Sequence, residues 1–433
     1  MEPLNVENPS HQPVTSSKTH IIIYIILSLI IVGLIVGLVV VITSKDKEKE
    51  KEVIKEVEKQ VIVPYLYTVP IIEENLFGEI QRNITYYNKE GKISNTFGNN
   101  GRHYNEKVGN VHNGTDYNKT EANNYDLYIP SQALKNKEGH NGIFLFIHGG
   151  AWVGGFKIEM DKFLVSYGKM GYITANMEYT LLSLNSSETN IFRIVDEITA
   201  CISNIREQLV NRSFVGENLE LAIFGYSAGA HLTLLYSYLI ADSPIKIKFT
   251  IDISGPISLD GPYNLMLKTF NDTLPNLTKP YIEDYQNKGK FKDTELNKTQ
   301  TLFILNSFIG SKHSYNELME MLTINGNETS INYTNEKFKE LINETSYGFP
   351  IYIEDKNKVP VLCYYSGNDQ VVGISAFAYL EEKAIKDSKP IELIYSKYSK
   401  HNYYDFSMED SVEHLRELNL KIREYAKNYF TQG

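Results

Sequence analysis

The 433-residue chain predicts an α/β protein with a mostly parallel, doubly wound sheet, and three observations carry that prediction. Short runs of almost wholly apolar residues, such as Gly142–Ile147 and Leu219–Phe224, alternate with segments of helical period. A strand apolar at every position is one covered on both faces, and strands alternating with helices imply parallel βα units. The second observation is Gly225-Tyr226-Ser227-Ala228-Gly229, set between the strand run Leu219–Phe224 and a segment, Ala230–Ala241, with the composition of a buried helix. The third is a glycine-rich loop, His148 to Gly155, that follows Gly142–Ile147 directly.

Taken in order, residues 1–20 read as a polar N-terminal tail. Residues 21–43 form an unbroken apolar run, relieved only by Tyr24, Ser28, Thr43 and two glycines. At ~1.5 Å per residue this run reaches roughly 34 Å, enough to cross a bilayer. A secretory signal has a shorter apolar region, so a retained transmembrane anchor is expected here. Residues 44–75 read as a charged stalk and linker: Lys and Glu alternate from Lys45 to Gln60, with only Val53, Ile54, Val57 and Val61 as apolar points. Such a composition extends a solvated helix but cannot build a core. The sheet domain is expected over residues 76–433, with its first strands among scattered strand-like pieces before Lys119.

Within that domain, Tyr125–Pro130, Gly142–Ile147 and Gly171–Met177 read as strands. Ile191, Ile194, Val195, Ile198, Cys201, Ile202 and Ile205 then recur at helical spacing. The Leu219 strand and Ala230 helix follow, and Ile245–Ile253 is a further strand. About 257–358 is an insertion rich in Asn, Thr, Lys and Tyr, with amphipathic pieces at Thr301–Ile309 and Glu336–Ile342. A connection of that length inside a compact domain rarely lacks structure, which predicts a helical cap. Val359–Tyr365 and Ile391–Tyr395 are strands, Ser375–Lys386 is a helix, and Glu409–Phe430 is a long terminal helix.

The chemistry is concentrated where these elements meet. A serine at a sharp strand-to-helix turn is a nucleophile elbow, tight enough to demand small residues two positions either side. It also aims the positive end of the following helix at the reacting centre. An ester passes through a tetrahedral oxyanion, which needs preorganised N–H donors. The expected donors are the backbone amides of Gly150, Ala151 and Ala228, with Gly149 permitting the turn; the loop lacks the pattern of a phosphate-binding loop. Trp152, the only tryptophan, is read as a packing residue.

A nucleophilic serine needs a base, and the base an orienting carboxylate. Asp369, in the turn after Val359–Tyr365, and His401, in the loop after Ile391–Tyr395, are assigned those roles, giving the chain order Ser, Asp, His. Among the rivals, His148 is read as bracing the oxyanion loop, and His231 lies on the elbow helix on the wrong side of the hydroxyl. His414 belongs to the terminal helix; Asp252 ends a strand and Asp260 lies in a Gly/Pro turn.

Together the H-G-G-A-W loop, the G-Y-S-A-G-A-H elbow, the S-G-N-D-x-x-V turn and the late K-H pair resemble the α/β-hydrolase superfamily. The resemblance is closest to the esterase/lipase branch of hormone-sensitive-lipase-like carboxylesterases, feruloyl-esterase-like hydrolases, kynurenine formamidases and isoprenylcysteine methylesterases. Tyr125–Pro130 is similar to the strand that precedes the oxyanion loop there, and the likeness covers about residues 120–430. It implies an eight-stranded, mostly parallel sheet with helices on both faces and metal-free hydrolysis of carboxylic esters or amide-like bonds. Two departures stand out: Ala151 replaces the third glycine of the commoner H-G-G-G loop, and no glycine follows His401. The first leaves the substrate class open toward the formamidase and feruloyl-esterase side.

The expected function is therefore a membrane-anchored serine carboxylesterase acting on a small-molecule ester. An aryl formamidase, a prenylcysteine methylesterase and a catalytically silent adhesion or binding module remain alternatives. A net charge of −10 without a basic cluster argues against nucleic acid, and no motif indicates a metal or cofactor. Oligomeric state is left open. Cys201 and Cys363 are expected in the core, with a pairing between them undecided. Lysines are denser after the apolar run than before it, which favours a cytosolic domain. Against this, every unblocked N-x-[ST] sequon lies beyond the run: Asn83, Asn113, Asn118, Asn185, Asn211, Asn271, Asn276, Asn297, Asn327, Asn332 and Asn343. They favour a type II orientation, with the domain lumenal or extracellular and able to carry glycans.

Overall fold

The computed structural model describes residues 77–94, 116–183, 188–240, 242–258, 298–325, 328–353, 357–367, 375–397, 399–401 and 409–431, together with residues 186, 355, 369, 371 and 372. Its main sheet has eight strands: β1 (Phe77–Thr85), β2 (Asn124–Pro130), β3 (Asn141–Ile147), β4 (Ile173–Met177), β5 (Leu219–Tyr226), β6 (Lys246–Ile253), β7 (Val361–Ser366) and β8 (Ile391–Ser396). They lie in the order β1-β2-β4-β3-β5-β6-β7-β8. β2 runs antiparallel to both β1 and β4, and the rest of the sheet is parallel.

The sequence of β3 explains why the sheet is covered twice. Ile143, Leu145 and Ile147 enter one apolar layer, and Phe144 and Phe146 enter the other. Successive strand side chains point to opposite faces, so a run apolar at both parities needs helices above and below. On the first face lie α3 (Ile191–Val210), α4 (Ala228–Leu239) and α8 (Ser375–Asp387); on the second lie α2 (Asp161–Gly168) and α9 (Glu409–Tyr429), while α1 is the short turn Ser131–Lys135. The second face is aromatic: the Phe144 ring meets Tyr167 of α2 at 4.8 Å and Phe430, just beyond α9, at 5.6 Å between centroids. α3 starts where its sequence allows, with the Asn190 side chain accepting from the Arg193 amide at 2.9 Å.

Between β6 and β7 the insertion carries α5 (Lys298–Phe308), α6 (Tyr315–Glu320) and α7 (Glu336–Ser346). The expectation of a purely helical cap needs correcting. Leu322–Asn325 pairs antiparallel with Glu328–Ile331, a hairpin favoured by the β-branched residues Thr323, Ile324, Thr329 and Ile331 on either side of a two-residue connection. α6 is fixed by a capping box in which Ser314 and Glu317 satisfy each other's backbone amides.

Other expectations meet the structure unevenly. The strand limits agree within two residues, and the elbow helix starts at Ala228 rather than Ala230 because the serine itself occupies the turn; the amphipathic pieces Thr301–Ile309 and Glu336–Ile342 belong to helices that run from Lys298 to Phe308 and from Glu336 to Ser346. Cys201 and Cys363 are buried free thiols in separate apolar clusters. Among the described residues no helix is long and apolar enough to cross a membrane; the run 21–43 and the stalk lie outside them. Of the sequon asparagines, Asn83, Asn118, Asn211 and Asn343 are exposed and Asn332 is half-buried. Asn83 sits within β1 rather than in a loop. Asn113, Asn185, Asn271, Asn276, Asn297 and Asn327 lie outside the described residues.

Candidate active site

At the carboxyl end of β5 the chain reverses into α4 through Ser227, whose backbone sits at φ 53° and ψ −120°. Few non-glycine residues tolerate that region, and such strain of about 1–3 kcal/mol persists only where the surroundings over-determine it. Here the Ser227 amide donates to the Ile253 carbonyl at 2.8 Å, and the His231 amide donates to the Ser227 carbonyl at 3.0 Å. The flanking glycines are dictated by contact. A Cβ on Gly225 would stand 2.2 Å from the Gly229 carbonyl oxygen, and one on Gly229 would stand 2.1 Å from the Ile147 carbonyl oxygen. Both obstacles are backbone and cannot swing aside. Gly225→Ala is accordingly expected to lower stability by about 1–3 kcal/mol through overpacking; a variant that melts with the parent would show that the elbow is looser than its geometry.

Three side chains converge there. His401 Nε2 is 2.9 Å from Ser227 Oγ, and His401 Nδ1 is 2.8 Å from Asp369 Oδ2. Because a carboxylate only accepts, Nδ1 carries the proton and Nε2 presents its lone pair to the serine. The other Asp369 oxygen accepts from the amides of Val371 at 2.8 Å and Val372 at 2.9 Å, so the carboxylate cannot rotate. Asp369 and Ser227 are buried while His401 is partly open to solvent. The Tyr226 hydroxyl donates to the His401 carbonyl at 3.0 Å and holds the loop. This contact escaped the sequence reading, since Tyr226 is the unspecified position of the elbow motif.

The glycine-rich loop expected to supply the oxyanion donors lies alongside. A Cβ on Gly149 would come within 3.1 Å of Ser227 Cβ, which measures how closely the loop passes the hydroxyl. Gly150 adopts φ 110°, and Ala151 and Trp152 follow at 51° and 63°, two consecutive non-glycine residues in the left-handed region. The Gly150 carbonyl accepts from the Val153 and Gly154 amides at 3.1 and 2.9 Å, closing the turn. Among the described residues neither the Gly150 nor the Ala151 amide donates to a protein acceptor. The Ala228 amide opens α4, where the first N–H groups have no intrahelical partner.

Behind the loop, buried His148 places Nδ1 2.8 Å from the Gly149 carbonyl and Nε2 2.9 Å from Glu178 Oε1. Both ring nitrogens lie near oxygens that only accept. Burial opposes a charge on the ring, but Glu178, Glu159 and the Gly149 carbonyl outweigh it and hold the pKa above the ordinary histidine value. Tyr179 stacks on the ring at 4.2 Å and donates to the His148 carbonyl at 3.2 Å. His148 thus braces the loop and has no contact with Ser227 among these.

Asp252, the rival acid, is engaged by Tyr365 and Gly255, while His401 Nδ1 meets Asp369. The Tyr365 hydroxyl is 2.7 Å from both Asp252 Oδ2 and the Gly255 carbonyl, and the Gly255 amide donates to Asp252 Oδ1 at 2.8 Å. The one hydroxyl proton is shared between the two acceptors. Burial pushes the Asp252 pKa up to about 7 against the opposing pull of Tyr365 and the Gly255 amide. A carboxyl raised in the folded state binds a proton that the unfolded chain has lost above about pH 4. Its stabilisation is complete below that pH and disappears as pH rises through about 7. Asn reproduces the protonated carboxyl, so Asp252→Asn is expected to gain stability relative to the parent between pH 5 and pH 8. Thermal melts across that range check it; a constant gap would mean that Asp252 is ionised in the fold.

An eight-stranded sheet in this order, with serine, histidine and aspartate at its carboxyl edge, defines an α/β-hydrolase of the esterase/lipase branch. Within that class the chain belongs to the BD-FAE family, whose family model matches residues 125–384. Over 153 residues it is 28% identical to the isoprenylcysteine alpha-carbonyl methylesterase ICME of Arabidopsis thaliana, a match covering 34% of this chain and 34% of that protein. A probable isoprenylcysteine alpha-carbonyl methylesterase of the same plant, ICMEL2, is 26% identical over 174 residues, 39% of this chain and 36% of its own. The chain thus spans about a third of the length of these relatives. Among solved structures, an esterase from Pyrobaculum calidifontis aligns at a TM-score of 0.49 with 13% identity, over 87% of this chain and 93% of that one.

Proposed function

We propose that the protein is a serine carboxylesterase. The observation that carries this reading is the unbroken line from Ser227 Oγ through His401 to an immobilised Asp369 carboxylate, with steps of 2.9 and 2.8 Å. His401 Nε2 takes the hydroxyl proton as Ser227 Oγ forms a bond to the ester carbonyl carbon. The carbonyl oxygen becomes an oxyanion facing the amides of Gly150, Ala151 and Ala228, fixed before the charge appears. Collapse breaks the bond to the alkoxy oxygen, which leaves as the alcohol with the proton from His401. Water then adds to the acyl-enzyme with His401 again as base, and Ser227 regains its proton as the acid departs.

Turnover of p-nitrophenyl acetate and butyrate by the full chain tests the reaction. A fluorophosphonate probe that fails to label the parent would mean a silent fold used for adhesion or binding. The similarity to two Arabidopsis methylesterases favours the methyl ester of a prenylated cysteine as a second substrate class, and Ala151 in the oxyanion loop keeps an aryl formamide in the same screen. We also propose that residues 21–43 anchor the domain to a membrane in the type II sense. The apolar run and the sequons beyond it support this placement; digestion by endoglycosidase with a mobility shift is the expected result, and resistance together with cytosolic protease access would reverse the orientation.

A further inference from the structure

His231 is fully buried one turn into α4, takes no part in the reaction above, and has both ring nitrogens engaged by different parts of the molecule. Its Nδ1 is 3.1 Å from Trp152 Nε1 in the oxyanion loop. Its Nε2 is 2.7 Å from the Gly348 carbonyl at the end of the cap insertion. The indole nitrogen only donates and the carbonyl only accepts, so the ring must carry its proton on Nε2 and present a lone pair from Nδ1. Each role is therefore fixed by its partner. Burial drives the ring's pKa down to about 3, which keeps it neutral at any pH where the fold works. Around it Trp152, Phe308 and Phe349 pack edge to face or stacked, with the Trp152 and Phe308 rings 4.6 Å apart and Phe308 and Phe349 5.3 Å apart. Through its backbone the same residue holds Ser227, its amide donating to the serine carbonyl at 3.0 Å.

We propose that His231 is a positioning residue that ties the cap to the oxyanion loop: one imidazole holds the Trp152 indole with one nitrogen and the Gly348 carbonyl with the other. The inference rests on the esterase reading and deepens it by assigning what keeps the oxyanion amides in place. The loop needs such a tie. Ala151 and Trp152 both occupy the left-handed region, at φ 51° and 63°, and a strained pair relaxes unless something outside it holds. The Trp152 carbonyl accepts from the Leu182 amide at 2.8 Å, and the indole bond to His231 fixes the other end of the same residue. Losing the indole bond frees the peptide that carries the Ala151 amide. Losing the Gly348 bond frees the cap but leaves the loop tied.

The two halves of the tie are separable. His231→Asn keeps an acceptor near the Nδ1 position, and His231→Gln keeps a donor near Nε2; His231→Leu has neither. Trp152 is the only tryptophan in the chain, so the full-length protein labelled with ¹⁵N-tryptophan gives a single indole N–H resonance. That resonance should be protected from solvent exchange in the parent and in His231→Asn. It should exchange about tenfold or more faster in His231→Leu and His231→Gln. With p-nitrophenyl butyrate, His231→Leu and His231→Gln should lose about tenfold to a hundredfold in kcat, the cost of a misplaced donor, with KM within about twofold; His231→Asn should retain most of kcat. Trp152→Phe keeps the aromatic packing and deletes the donor, and should match the kcat loss of His231→Leu should that variant fail to fold. Unchanged kcat in folded His231→Leu or Trp152→Phe, or identical behaviour of the Asn and Gln variants, would overturn the proposal. The indole measurement needs no turnover and can be repeated in Ser227→Ala, so the tie stands or falls apart from the esterase reading.

Discussion

Replacing Ser227 with alanine is expected to reduce turnover of p-nitrophenyl butyrate by about 10⁴–10⁶-fold and to abolish labelling by a fluorophosphonate, while leaving the melting temperature close to that of the parent. The hydroxyl is the only group removed, and its hydrogen bond to His401 Nε2 at 2.9 Å is partly open to water, so the histidine finds a solvent partner at little cost. The backbone strain at φ 53° stays, because alanine has the same Cβ. Residual catalysis of about 10³–10⁴ over water should persist, since the backbone amides of the oxyanion loop are untouched. Retained turnover at the parent's level would defeat the assignment of Ser227 as nucleophile.

The second large effect is expected at Asp369. Its two oxygens are fully committed, one to His401 Nδ1–H and the other to the Val371 and Val372 amides. An asparagine here must place its NH₂ on one side or the other. Toward His401, it needs a lone pair on Nδ1, which moves the ring proton to Nε2 and removes the base from Ser227. Toward the valine amides, it sets donor against donor in a buried turn. Either arrangement defeats the site, and Asp369→Asn should lose about 10⁴-fold in kcat, as expected for a histidine held in the wrong tautomer. KM should change far less, because the carboxylate touches the base rather than the substrate. A loss below tenfold would indicate that another carboxylate supports His401. Asp252 is then the residue to examine, although its bonds to Tyr365 and Gly255 engage it elsewhere.

The strands were legible because burial on two faces forces a run such as Gly142–Ile147 to be apolar at both parities, a pattern few other environments impose. The elbow around Ser227 was legible for a related reason: the Cβ contacts at Gly225 and Gly229 admit only glycine, so the turn leaves a readable trace. Asp369 and His401 were assigned by their place after late strands and by the triad order, with the S-G-N-D-x-x-V turn and the K-H pair as fainter local traces. Tyr226 over the His401 loop, Tyr179 and Glu178 behind His148, and the two partners of His231 left no trace at all. Each of these is a single contact between segments far apart in the chain, and one side chain carries no periodicity.

By itself, then, the sequence determined what is repeated or sterically compelled: the alternation of strands and helices, the tight elbow and its serine, and the glycine-rich loop that can turn amides inward. Tertiary structure alone decided the rest. It buried Asp252 and raised its pKa, set Glu178 against His148, placed a hairpin in the cap and brought Gly348 to His231. Hydrophobic pattern is a property of neighbours along the chain, whereas the protonation and orientation of a buried polar group depend on partners that only folding brings within 3 Å.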